Sequence, residues 1–151
     1  MKYRTRRFGL LEVRDDEIIW IPEGLLGFTQ LKRYTILESD EHYPFKWLQS
    51  LDEAALTFAI IDPTLFRPDY RVKISPSEVE SLDIKNQKDV VVMVIVTLNA
   101  DPALISANLQ GPILFNTRNM KAKQIVLTDG EYETKHHILQ ERKKFAESKT
   151  A

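Results

Sequence analysis

Hydrophobic and polar residues alternate with a period of two through most of the chain. KYRTRRF, LLEV, EIIWI, YTILES, FKWLQS, LTFAIID, YRVKI, VVVMVIVTL, PILFN and KQIVLTD are short, rich in β-branched or aromatic residues, and bounded by turn formers. That texture predicts about ten strands. Alternation is cleanest over Tyr70 to Ile74, a strand with one wet face. Val90 to Val96 is apolar throughout and belongs at the centre of a sheet. Two stretches break the period. From Ser75, SPSEVESL offers a serine cap, proline at the first helical position and Glu78 three residues after the cap, which predicts a short helix near 76–83. Beyond Gly130, EYETKHHILQERKKFAESKTA is rich in helix formers, with Ile138, Leu139, Arg142 and Phe145 on one side, and predicts a C-terminal helix, docked or frayed. Many strands and few helices point to a mainly antiparallel all-β fold, a small barrel or sandwich.

Composition narrows this picture. At 151 residues the chain fits one domain, drawn here as 1–139 with a tail at 140–151. The longest apolar run falls far short of the roughly 20 residues a membrane-spanning helix needs. With no cysteine there is no disulfide framework or thiol chemistry, and no secretory signal is visible. A cytoplasmic protein is expected. The net charge of −1 is too balanced to drive general nucleic-acid binding. Partners must be read from patches.

Signatures of catalysis are scarce. The chain has no G-x-G-x-x-G, phosphate-loop or G-x-S-x-G pattern, and no cofactor is implied. His42, His136 and His137 lack the spacing of a metal site, so His136 and His137 read as a solvated pair. Asp62 before Pro63 reads as a strand end. A small hydrolase using Asp62 or Asp69 with His42 is one alternative. Lys2, Arg4 and Arg6 share one face of a strand, as in a protected edge, and RNA binding by a small barrel is the other alternative.

Two features point to protein partners. The segment Glu38 to Glu53 carries Glu38, Asp40, Glu41, Asp52 and Glu53 against Lys46 alone, an acidic landing site for a basic partner. The second is WIPEGLLGF, where Pro22 and Gly24 make a turn and two leucines follow. On extended backbone, neighbours face opposite ways, so Leu25 and Leu26 should diverge. One packs inward beside Phe28; the other stands near the apolar loop of Leu65, Phe66 and Tyr70. Such turns either plug a barrel or form an apolar patch.

These stretches together resemble the flagellar assembly factor FliW family. The likeness is carried by Phe8-Gly9, Pro22-Glu23-Gly24 with Gly27-Phe28, Trp47-Leu48-Gln49-Ser50, and Phe58 through Pro63. It continues in Asp69-Tyr70, Val96-Thr97, Ser106 through Leu109, Pro112-Ile113 and Lys123 through Leu127, and spans about residues 1 to 139. Relatives often have proline where this chain has Leu26, and leucine-alanine-proline where it has Gln110-Gly111-Pro112. The resemblance implies a small, non-enzymatic, β-barrel-like regulator, monomeric when free. It implies binding to flagellin near its C-terminal helical region and, when flagellin has been exported, capture of the translational repressor CsrA. No direct nucleic-acid or membrane contact is implied. The candidate contacts are Leu25, Leu26, Phe28, Leu65 and Phe66 for flagellin, and the five carboxylates for CsrA.

Overall fold

A computed structural model describes residues 1–73, 75–128 and 130–150, the last four of these as helix backbone. The strands are β1 Lys2–Thr5, β2 Gly9–Glu12, β3 Ile19–Trp20, β4 Arg33–Leu37, β5 Lys46–Ser50, β6 Thr57–Ile61, β7 Val90–Thr97, β8 Ser106–Ala107, β9 Ile113–Asn116, β10 Lys121–Gln124 and β11 His136–His137. Seven of them, in the order β7-β6-β5-β4-β3-β10-β9, close into a barrel when β9 pairs back onto β7. The pairings are antiparallel except β3 with β10, which meet in parallel through Trp20 and Lys121. β8 and β11 extend from one side of β7. β1 and β2 form a separate hairpin, whose turn bonds the barrel through Arg6 N–H to Ala54 O at 2.9 Å.

Closure gives each strand two apolar faces to bury. Ile19, Tyr34, Leu48, Ile60, Met93, Ile113 and Phe115 fill the barrel. Trp47, Ile61, Val94, Val96 and Leu114 point outward beneath a second layer made by Phe66, Tyr70, Leu82, Leu109, Tyr132 and Ile138. This two-sided burial is why Val90 to Val96 is apolar at every position.

The helices fall where their patterns place them, with differences in detail. α1 spans Pro76–Val79 and runs into a 3-10 turn at Glu80–Leu82. The Ser75 hydroxyl does not cap it and bonds the Ser77 hydroxyl instead. α2 occupies Ile138–Thr150. Three strand expectations change. Residues 70–73 are not a strand, because Tyr70 is drawn into the outer layer and its hydroxyl donates to Leu109 O at 2.7 Å, while Ile74 lies outside the described residues. β10 starts at Lys121 and ends at Gln124, so most of KQIVLTD is irregular. The short β8 and β11 carry too few residues to show a period.

His136 and His137 are not a solvated pair. His136 sits among Tyr132, Arg67 and α2, with Nδ1 at 2.7 Å from Glu141 Oε1 and Nε2 accepting the Glu133 N–H at 2.8 Å. A backbone amide can only donate, so the neutral ring carries its proton on Nδ1, facing Glu141. Arg67 completes the pin, reaching Glu141 and Asp69 at 3.1 Å each. Partial burial alone would raise the Glu141 carboxyl; His136 and Arg67 outweigh it and leave its pKa below the ordinary value.

Candidate functional site

The loop from Ile21 to Leu31 joins β3 to β4 across one end of the barrel. Pro22 and Gly24 turn it, with Gly24 N–H donating to Ile21 O at 2.8 Å. Gly24 has φ +68°, and a Cβ there would lie 2.5 Å from Thr29 Cα, so no other residue fits without displacing backbone. Leu25 then enters the barrel interior and is 1% exposed, whereas Leu26 is 58% exposed. The divergence expected from backbone alternation is observed. Burying Leu25 contributes about 2 kcal/mol. Phe28 follows with its ring edge on Phe58 at 5.3 Å, leaving part of its own face open. Gln124 brackets the loop from β10: its Oε1 accepts Leu26 N–H and its Nε2 donates to Gly111 O, both at 2.9 Å. Sequence reasoning missed Gln124, which follows Lys123 and reads as an ordinary polar position before Ile125-Val126-Leu127. This end is a plug with an apolar cap.

Leu26 does not stand near Leu65 and Phe66. Those residues follow the C-terminal end of β6, whereas Phe28 packs on Phe58 at its start, about 13 Å away by strand rise. Phe66 is 2% exposed and belongs to the outer layer, while Leu65 remains exposed. Leu25 and Phe66 therefore support surfaces from beneath and present none.

The acidic segment is also divided. β4 and β5 form a hairpin, with Leu37 opposite Trp47 and Tyr34 opposite Ser50. Glu38, Asp40 and Glu41 sit in its loop, while Asp52 and Glu53 sit at the other end of β5. Asp52 accepts the N–H groups of Lys32 and Arg33 at 3.1 and 3.0 Å and pairs with the Arg33 guanidinium at 2.8 Å. Burial raises the Asp52 carboxyl, but these donors prevail and lower its pKa. It is a structural acid. Glu38 meets Lys46 at 3.8 Å, and the carboxylates of Asp40 and Glu41 project into solvent.

At the loop end of that hairpin the barrel is open. A cavity of about 320 Å³ reaches between Ile19, Ile36, Val91, Met93, Phe115 and Met120, rimmed by Asp16, Glu17, Glu38, Lys46 and Lys121. This mouth is assembled from β3, β4, β5, β7, β9 and β10, and no stretch of sequence signals it.

The residues of the hydrolase alternative are each committed locally. Asp62 accepts Thr64 N–H at 2.9 Å, Asp69 holds Arg67, and His42 Nδ1 lies 2.9 Å from Ser39 Oγ with its ring against Trp47. For the RNA alternative, Lys2, Arg4 and Arg6 are exposed on the hairpin, but Tyr3 lies under Arg33. Among the described residues no group of His, Cys, Asp and Glu could hold a metal, and no helix is long and apolar enough to cross a membrane.

The family model described as FliW protein matches residues 2–138. The chain belongs to the FliW family. Proteins named flagellar assembly factor FliW from Treponema denticola and Syntrophus aciditrophicus are 43% and 42% identical to it, over 93% and 94% of this chain and 95% and 90% of theirs. A solved structure described as the crystal structure of the flagellar assembly factor FliW superposes with a TM-score of 0.86 at 33% identity, covering 91% of this chain and 96% of that one. Both the barrel and its plug-bearing loop lie within the residues matched to the FliW family. Its members' name places this chain in flagellar assembly.

Proposed function

We propose that this flagellar assembly factor acts in the cytoplasm as a non-enzymatic monomer that binds flagellin and, once free of it, holds CsrA, so that flagellin level sets flagellin mRNA translation. Leu26 is the observation that carries the flagellin arm: a large apolar side chain held in solvent by a loop whose neighbours are buried or bonded. With the open face of Phe28 it offers the apolar anchor points onto which an amphipathic helix docks. The acidic hairpin loop of Glu38, Asp40 and Glu41 supports the CsrA arm, since a basic RNA-binding protein is steered toward carboxylates of opposite charge.

Capture assays with a flagellin C-terminal fragment and with CsrA test this reading. Leu26→Asp should lose flagellin and keep CsrA. Unchanged flagellin capture would remove the plug end from the interface, and a wild-type protein that captures neither partner would sink the reading.

A further inference from the structure

The mouth of the barrel is a cavity that the chain leaves unfilled. We infer that it receives one large apolar side chain from a protein segment whose neighbouring positions are lysine or arginine; this rests on the proposed capture of a basic protein and locates where it happens. At the opposite end the barrel shows the chemistry it accepts, because Leu25 enters the same interior from above and closes it. The mouth has the same apolar floor, with Met93 at its base and Val91, 43% exposed, on its wall.

Two of the chain's three methionines, Met93 and Met120, line it, giving a pocket that reshapes around different aliphatic or aromatic groups. The rim carries Asp16, Glu17 and Glu38 against Lys46 and Lys121, and the adjoining β4–β5 loop adds the exposed Asp40 and Glu41. The existing pairs, Arg14 with Asp16 at 3.1 Å and Lys46 with Glu38 at 3.8 Å, are solvent-exposed, so an incoming cation can replace either at little cost. Tyr43, 77% exposed in the adjoining loop, adds an aromatic edge for a larger partner to cover.

A free small molecule fits less well. Sites for such ligands orient them with convergent polar groups, and the polar groups here serve the fold. Thr35 Oγ donates to Glu17 O at 3.1 Å, and Asn116 Nδ2 donates to Leu82 O at 2.8 Å. The cavity is at the low end of the roughly 300–1,000 Å³ that encloses a whole ligand. A side chain anchored on a larger body matches it better.

The absence of cysteine allows the mouth to be blocked after folding. Val91→Cys is a small change at a half-exposed wall, and N-phenylmaleimide attached there fills the cavity. CsrA and the flagellin fragment are titrated separately against wild type, unlabelled Val91→Cys and the labelled form. The unlabelled variant sets the reference affinity for each partner, and the expected result is at least tenfold weaker CsrA binding relative to it after labelling, with flagellin binding unchanged by the label. Glu38→Lys combined with Asp40→Lys, which touches only exposed side chains, should slow CsrA association. Equal CsrA affinity before and after labelling overturns the mouth while leaving the partner reading intact. Absence of wild-type CsrA binding overturns both. A copurifying small ligand released by the label, or a dimer of the Val91→Cys variant made monomeric by it, would assign the mouth to that occupant instead.

Discussion

One barrel has two ends, one closed by a loop and one left open. At the plug, the loop between β3 and β4 turns back over the interior because Gly24 permits the backbone and Leu25 supplies the apolar side chain. At the mouth, the connections leave the interior uncovered. The β4–β5 loop reads ESDEHYPF and is too polar to fill it; the long link from β6 to β7 sends Phe66, Tyr70 and Leu82 to the outer wall. Closing an end thus needs both a backbone that folds inward and an apolar residue at its tip. The plug has both, and its outward leucine is left exposed as a by-product.

The sharpest break of this contrast is Leu25→Asp against Leu26→Asp. The first places a charge inside the barrel and should cost several kcal/mol, enough to unfold much of the population. The second should stay within about 0.5 kcal/mol in denaturant melts. Similar losses at both would make the whole loop a structural plug with no outer role. Next is Gly24→Ala, which forces a positive φ and a clash with Thr29 and should lose about 2 kcal/mol or more. A matched substitution at the mouth, Val91→Thr, should lose less than about 1 kcal/mol because that wall is already wet.

A smaller effect is expected in alkali. Burial, aided by the nearby Asp52 charge, pushes the Tyr34 hydroxyl from 10.0 up to about 12. A raised folded pKa means that the neutral form is favoured by folding, so this contribution is complete below pH 10.0 and is lost as pH rises toward about 12. Phenolate absorbance should therefore rise together with unfolding in that window; Tyr34 ionising in a still-folded barrel would show water reaching the interior from an end. The smallest effect separates the two halves of the acidic segment. Added salt should slow CsrA association, and reversing Glu38, Asp40 and Glu41 should abolish that salt sensitivity. Glu53→Lys, at the other end of the hairpin, should leave the salt dependence unchanged.

Local features were legible where residues close in sequence decide them. β4 to β6 follow from short β-rich stretches between turns, β7 follows from its unbroken apolar run, and the divergence of Leu25 and Leu26 follows from two residues on extended backbone. Which end each loop occupies was not legible, because it depends on β10 meeting β3 and β9 meeting β7, pairings between distant residues. That placed Leu65 beside Leu26 and merged Asp52 with Glu38. The mouth draws on residues from Asp16 to Lys121 and has no local signature. Likewise, Tyr70 alternates like a strand residue, but a hydroxyl bond to Leu109 decides its place. His136 and Glu141 are near neighbours in the chain, but Arg67, which fixes Glu141, lies 74 residues before it, so the sequence around His136 showed only a solvated ring.

The ring of strands is unevenly stitched. β7 is held along Val90–Met93 by β9 and along Val94–Val96 by β6, whereas β3 holds β10 through Trp20 and Lys121 alone, with Trp20 N–H to Met120 O at 2.8 Å. In amide exchange, Trp20 should therefore open by local breathing, while Met93 and Val94 exchange only when the whole domain unfolds. Ile19, Met120 and Lys121 beside this seam line the mouth, and Ile21 just beyond it begins the plug. A barrel with one thin seam has a defined place to flex, and here that place touches both ends at once.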